Sequence, residues 1–373
     1  LAGRQSMNAE VPQENQSLLY SCWLLALTGM LGIAVTGDAF NVFVFMEISS
    51  LASYVVVANG PNRRALTASF KYLVTGTIGA TFYLIGVGYL YMMTGSLNLA
   101  DIADRLAPIA DTLPVQIAAG FLVMGLALKA ALFPMHAWMP NTYQFAPTPV
   151  AIFFAACSTK VALFVMARYE FVVFLPNLGE QAHFLSNLLI PLCVAAFLVG
   201  SAVAIFERDL KRMLGYSSVA QIGYIVLAIA LASNAGLTAA IVHFFNHALM
   251  KAALFTAVAG IMWRYGTTNL DELAGLGRRM PLTMLGFVLG GLSLIGVPLT
   301  AGFISKWYLI QAVLQEPGLG ILLTILILAA SLMAVLYIWK VVEIAYFKAP
   351  TSGNLSDIKR QEAPLAVLIV LWG

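Results

Sequence analysis

The sequence predicts an all-α bundle of membrane-spanning helices, and three observations carry that prediction. Hydrophobic residues make up 61% of the 373 residues and charged ones only 10%, against the roughly 25% charge that a water-facing surface carries. Mean hydropathy is +0.88, and apolar runs of about twenty residues, the length of one helical crossing, recur along the chain. Those runs are continuously apolar, with 30 glycines and 22 phenylalanines overall, whereas barrel strands would alternate polar and apolar side chains. A formal net charge of +3, with no basic stripe interleaved with aromatics, gives no support for a nucleic-acid partner.

Reading the apolar runs between charged or Pro/Gly-rich breaks gives ten expected spans. They cover residues 17–36, 39–58, 69–94, 113–140, 149–175, 184–206, 216–232, 236–263, 282–314 and 320–347. The first ends before Gly37-Asp38, the second before Asn59-Gly60-Pro61, and the third before Gly95-Ser96. Residues 97–106 read as a short amphipathic stretch on the outer face. The fourth and ninth spans are long and carry internal prolines, Pro134 and Pro298.

Orientation follows from alternate loops. One set holds Arg63, Arg64, Arg208, Lys211, Arg212, Arg264, Arg278, Arg279, Lys348, Lys359 and Arg360; the other holds Arg105, with Arg168 near the end of its span. The positive-inside rule puts the first set in the cytoplasm of a multi-pass cell-membrane protein. The spans divide into two groups of five, 17–175 and 184–347, followed by a cytoplasmic loop and the start of a further helix over 348–373. An odd number per group makes the second group inverted. Corresponding Pro-interrupted helices, each with a lysine nearby (Lys129 and Lys306), are the expected sign of an ion path at the midplane. The chain opens on Leu1 and stops within an apolar run from Pro364 to Gly373, so both ends read as cut.

Ionisable residues inside these spans are the candidate site. Glu47, Lys129, Lys160, Lys251 and Lys306 each cost about 2.5–3.5 kcal/mol at a helix centre. Glu47 lies eight residues into its span, about 12 Å deep. Pro134 removes an intrahelical bond and frees the carbonyl of Ala130, so Lys129 is expected beside a half-helix end that favours cations. Lys160 is too deep to snorkel easily. His243, His247 and Lys251, spaced four apart, share one helix face. No third ligand accompanies the two histidines, so no metal site is expected. Cys22, Cys157 and Cys193 are far apart in apolar runs and read as structural thiols.

Four deep lysines face one deep carboxylate. Low dielectric penalises that excess of positive charge, and no cluster of carboxylates is present to replace the hydration shell of sodium. The row reads as a proton path. Lys340 and Glu343, three apart, are expected to form a salt bridge. Lys71 suits snorkelling as well as function, His136 either guards the inner mouth or simply packs, and Asp38 sits solvated at a span's edge.

At these residues the chain resembles the antiporter-like proton-channel family. That family includes the large subunits of Mrp-type sodium/proton antiporters and the pumping subunits of respiratory complex I and membrane-bound hydrogenases. The resemblance rests on DAFNVFVFMEISSLASY (38–54), KAALFPMHAWMP (129–140), ERDLKRMLGYSSVAQIGY (207–224), HFFNHALMKAAL (243–254) and GVPLTAGFISK (296–306), in order along nearly the whole chain. It implies a fourteen-helix fold with two inverted five-helix repeats, of which this chain holds the fourth helix into the fourteenth. It also implies a Glu47–Lys129 pair, a central relay of His243, His247 and Lys251 joined by Lys160, and an exit-side Lys306. Within the family the likeness leans to the D-type subunit of the Mrp-type antiporters. A pumping subunit of an NADH:quinone oxidoreductase or hydrogenase is the alternative; a solute permease and a structural scaffold fit the spread of lysines less well. The expected partners are other membrane subunits of a hetero-oligomeric antiporter or respiratory complex, with protons as cargo and any sodium crossing in a partner subunit. No dinucleotide fingerprint or Cys cluster occurs, so no cofactor is expected on this chain.

Overall fold

Each apolar run becomes a helix with a local reason to start and stop. The computed structural model describes residues 7–8, 10–178, 182–348, 362–364, 367–368 and 371. Lys359, Arg360 and most of the stretch 348–373 lie outside the described residues. Among the described residues there is no strand, and nine helices are long and apolar enough to cross a membrane. The chain is an all-α, multi-pass membrane bundle.

Helix α1 (Gln13–Val35) gives way at Thr36. Helix α2 (Ala39–Ala58) begins where the Asp38 carboxylate accepts from the Asn41 N–H, satisfying a donor that the first turn leaves orphaned. Helix α3 (Arg64–Thr94) closes on Gly95 at φ 69°, a left-handed cap that strains any residue with a Cβ but not glycine. The amphipathic α4 (Leu99–Leu106) follows. There Ser96 and Arg105 hold the exposed Asp101 carboxyl below its usual range. Next come α5 (Leu113–Ala130), α6 (Trp138–Phe145) and α7 (Thr148–Asn177), the last with π turns at Phe154–Ser158 and Tyr169–Phe174.

The second group runs α8 (Ala182–Phe206), α9 (Leu210–Ala230), α10 (Asn234–Tyr265), α11 (Pro281–Ile295), α12 (Ala301–Val313) and α13 (Gly320–Phe347). It reproduces details of the first. Asp209 caps α9 by accepting from the Arg212 N–H, and α10 closes on Gly266 at φ 68°. The Ala39 and Leu99 N–H groups donate to the Leu97 and Gly37 carbonyls; those of Leu210 and Leu270 donate to the Thr268 and Arg208 carbonyls. The Arg168 guanidinium donates to the Thr36 carbonyl at the end of α1. Lys340 Nζ donates to the Ile205 and Glu207 carbonyls at 3.0 and 2.9 Å, at the end of α8.

Four expectations change. Spans 113–140 and 282–314 are each two helices, so the ninth span divides into α11 and α12, neither of which crosses alone. Helix α9 starts at Leu210 rather than 216, because its cap at Asp209 places Lys211 and Arg212 in the first turn. Lys211, counted from sequence among loop charges, is 3% exposed and donates to the Ala146 carbonyl at 3.1 Å. The Lys340–Glu343 salt bridge does not form: Lys340 directs its ammonium to α8 carbonyls, and Glu343 opens the π turn Glu343–Phe347. Of the three free cysteines, Cys193 alone is fully buried.

Packing places α9 at the centre, buried on nearly every side, its polar residues Lys211, Ser217, Ser218 and Gln221 included. Helices α3 and α5 approach closely: a Cβ on Gly125 would lie 2.6 Å from the Gly79 carbonyl oxygen. Small residues give this kind of contact between helices in lipid.

Candidate functional site

The polar row starts on α2. Glu47 faces Lys129, the penultimate residue of α5, with Lys129 Nζ 3.4 Å from Glu47 Oε1 and donating to Ser50 Oγ at 2.7 Å. Side-chain exposure is 7% for the lysine and 24% for the glutamate, so the carboxylate is the more accessible partner. The carbonyls released at the end of α5 go elsewhere. Leu132 N–H takes the Ala127 carbonyl, and Trp138 Nε1 takes that of Leu128 at 3.1 Å. Lys129 thus lies in the last turn of α5, at the half-helix end expected from sequence, and its ammonium is held by Glu47 and Ser50 of the neighbouring α2.

Beside this pair lies a cavity of about 30 Å³, room for about two waters at ~10–15 Å³ each. Its polar lining is Ser49, Ser50, Ser53, Tyr72, Lys129 and Ser158. Ser158 belongs to the first π turn of α7. Two residues on, the buried Lys160 donates to the Ala155 carbonyl, within the turn where the regular ladder is interrupted. That π turn packs against α10.

On α10, His243, His247 and Lys251 are 1%, 0% and 0% exposed. Lys251 Nζ donates to the Leu214 carbonyl at 2.9 Å and to Ser217 Oγ, both on α9. His243 Nδ1 lies 2.8 Å from Ser305 Oγ on α12. One residue further, Lys306 Nζ donates to the carbonyls of Leu294 at 3.1 Å and Ile295 at 2.8 Å, and to Ser331 Oγ of α13 at 2.9 Å. It also stands 5.1 Å from the Tyr224 ring centroid. Here the break supplies the partners: α11 ends at Gly296, and its last carbonyls, orphaned by the stop, carry the negative end of the helix dipole. Gly296 at φ 90° also makes room, since a Cβ there would meet Lys306 Cδ at 2.9 Å.

The row Glu47, Lys129, Lys160, Lys251, His247, His243 and Lys306 is thus gathered along the interior. Lys71 is exposed on α3 and beside a surface hollow with Asn141. His136 is half-buried between the rings of Phe133 and Tyr216. Pro134 and Pro298 lie in the non-helical breaks. Lys340 and Glu343 belong to the anchoring of α13 and stand apart from the row. Sequence reading missed Glu170, 4% exposed with Oε1 unpartnered, and Gln221, 1% exposed with Oε1 unpartnered. A lone acid between Tyr169 and Phe171 was a usable signal for the first. No charge marked the second.

Several comparisons bear on this arrangement. The family model described as NADH:quinone oxidoreductase/Mrp antiporter, TM, matches residues 36–334. The chain is 44% identical over 352 residues to the N subunit of the NADH-quinone oxidoreductase of Desulforudis audaxviator, covering 94% of this chain and 69% of that protein. It is 31% identical over 293 residues to the D-type subunit of the Na(+)/H(+) antiporter of Alkalihalophilus pseudofirmus, covering 79% of this chain and 59% of that one. Among solved structures, a chain of an archaeal membrane-bound sulfane sulfur reductase aligns with TM-score 0.85 and 35% identity, over 94% of this chain and 70% of that chain. A chain of the Mrp complex of a Dietzia species aligns with TM-score 0.82 and 31% identity, over 89% and 61%.

Proposed function

The chain belongs to the NADH:quinone oxidoreductase/Mrp antiporter membrane family, and from that membership we propose that it carries protons across the cell membrane as one subunit of a larger complex. The observation that carries this reading is the set of ionisable groups from Glu47 to Lys306 enclosed by the bundle, four lysines and two histidines with one carboxylate. Lysines repel sodium and offer it no oxygen ligands, while amines and imidazoles accept and release protons. The hydroxyl-lined cavity beside Lys129 supplies a hydrated link from α5 towards Lys160. On this reading, 17–175 and 184–347 are two inverted repeats, and Pro134 and Pro298 hold the two helix breaks open.

Sequence motifs alone lean to an antiporter subunit. The 44% identity to an oxidoreductase subunit favours the second reading, a pumping subunit of a redox-driven complex. The two readings share the same path and differ in the partner that drives it. Purification of the intact complex separates them: hydrophilic subunits carrying iron–sulfur clusters support the redox reading, and small membrane proteins alone support the antiporter.

The path itself is tested with the complete complex in vesicles, following a pH dye and radioactive sodium. Lys251→Ala is expected to stop proton movement at normal assembly. Sodium uptake by the isolated subunit that survives Lys251→Ala overturns the assignment.

A further inference from the structure

The rings of His243 and His247 lie nearly parallel, 8° apart, with centroids separated by 6.4 Å. No hydrogen bond of about 2.7–3.2 Å spans that gap between stacked faces. His243 Nε2 and both nitrogens of His247 are buried without a partner. Buried polar groups are almost always paired, by protein or by ordered water.

Helix α9 supplies what is needed at that level. Ser217, Gln221 and Tyr224 share one face of α9, as His243, His247 and Lys251 share one face of α10. The two faces are in register at both ends. Lys251 Nζ donates to Ser217 Oγ, and the Tyr224 ring meets His243 edge-on at 5.9 Å. Gln221 lies one turn from Ser217 and His247 one turn from Lys251, which brings them level with each other. Gln221 is 1% exposed, and its Oε1 is a second unpartnered acceptor.

We propose that Gln221 is a positioning residue of the relay, holding one water that bridges His247 and His243. The water has three partners, Gln221 Oε1, a ring nitrogen of His247 and His243 Nε2, within the two to four that a buried water takes. The amide carbonyl can only accept, so it fixes the direction in which the water donates. This inference rests on the proton-path reading and adds to it the group that joins its two histidines.

The test compares proton flux through the complete complex in vesicles. Gln221→Met keeps length and apolar volume but loses the amide. It is expected to slow flux roughly ten-fold at unchanged assembly, the scale of one buried polar contact left unmade. Gln221→His returns a ring nitrogen to the same level and is expected to recover about half the parental rate, a rescue that loss of packing alone would not give. Flux within about twofold of the parent in Gln221→Met, or equal losses in both variants, overturns the proposal. If Gln221→Met does not assemble, Gln221→Leu is judged by the same two outcomes. Parental flux in Gln221→Met beside a blocked Lys251→Ala removes Gln221 and leaves the path standing. Parental flux in both removes the path.

Discussion

The two broken helices of this bundle hold their lysines in opposite ways. At the first break the chain consumes its own released carbonyls, through Leu132 N–H and Trp138 Nε1, and Lys129 turns to a carboxylate and a hydroxyl on α2. At the second break the released carbonyls of Leu294 and Ile295 are themselves the partners of Lys306, with Ser331 completing the set. A carboxylate is left stranded when its ammonium loses a proton; a carbonyl or hydroxyl oxygen is not. The first half is therefore built as a coupled charge pair and the second as a cradle of neutral oxygens, although α2 and α9, and α3 and α10, share the same caps and bridging hydrogen bonds.

The sharpest break of this comparison is Glu47→Ala. It leaves the Lys129 ammonium, 7% exposed, with Ser50 alone and without a counter-charge. Proton flux is expected to fall about a hundred-fold with assembly preserved, and Glu47→Asp is expected to fall less because the charge remains. Equal vesicle flux in mutant and parent would falsify the pairing.

The prolines should then differ. An alanine at 298 regains an N–H able to reach the Leu294 carbonyl four residues back, in competition with Lys306. The same change at 134 aims at Ala130, which Lys129 does not use. Both variants should fold and slow the flux, Pro298→Ala by about ten-fold and Pro134→Ala by about two- to three-fold. Reversal of that order, measured in the same vesicles, would count against the distinction drawn between the breaks.

Ser331→Ala sharpens the second half. Two carbonyls remain on Lys306, so the loss should be about one hydrogen bond of ~1 kcal/mol, or roughly five-fold in flux. A block as deep as that of Glu47→Ala would show that the cradle depends on the hydroxyl.

The smallest expected effect tests the likeness of the halves. Asp38→Ala and Asp209→Ala each lose a helix cap of about 1 kcal/mol. Asp209 also accepts from Thr268 Oγ1 at 2.6 Å, so its variant should unfold at the lower temperature in detergent. A larger loss at Asp38 would contradict the cap geometry.

The sequence alone determined the membrane class, the apolar runs, the two proline-bearing spans and every titratable member of the row. Charge and hydropathy are properties of residue type, and lipid makes each exception costly enough to stand out. The Glu47–Lys129 partnership was also readable, because its motifs match a family in which the pairing is implied. Tertiary structure decided which oxygens hold each lysine, since those are backbone and hydroxyl groups that occur at every turn and become specific only through helix packing. It moved Lys211 from a loop to the interior, where it reaches the Ala146 carbonyl 65 residues away in sequence. It turned Lys340 from Glu343 to the end of α8. It also set one face of α9 against one face of α10, through the Lys251–Ser217 hydrogen bond and the Tyr224–His243 ring contact, a relation that the order of residues along either helix does not contain.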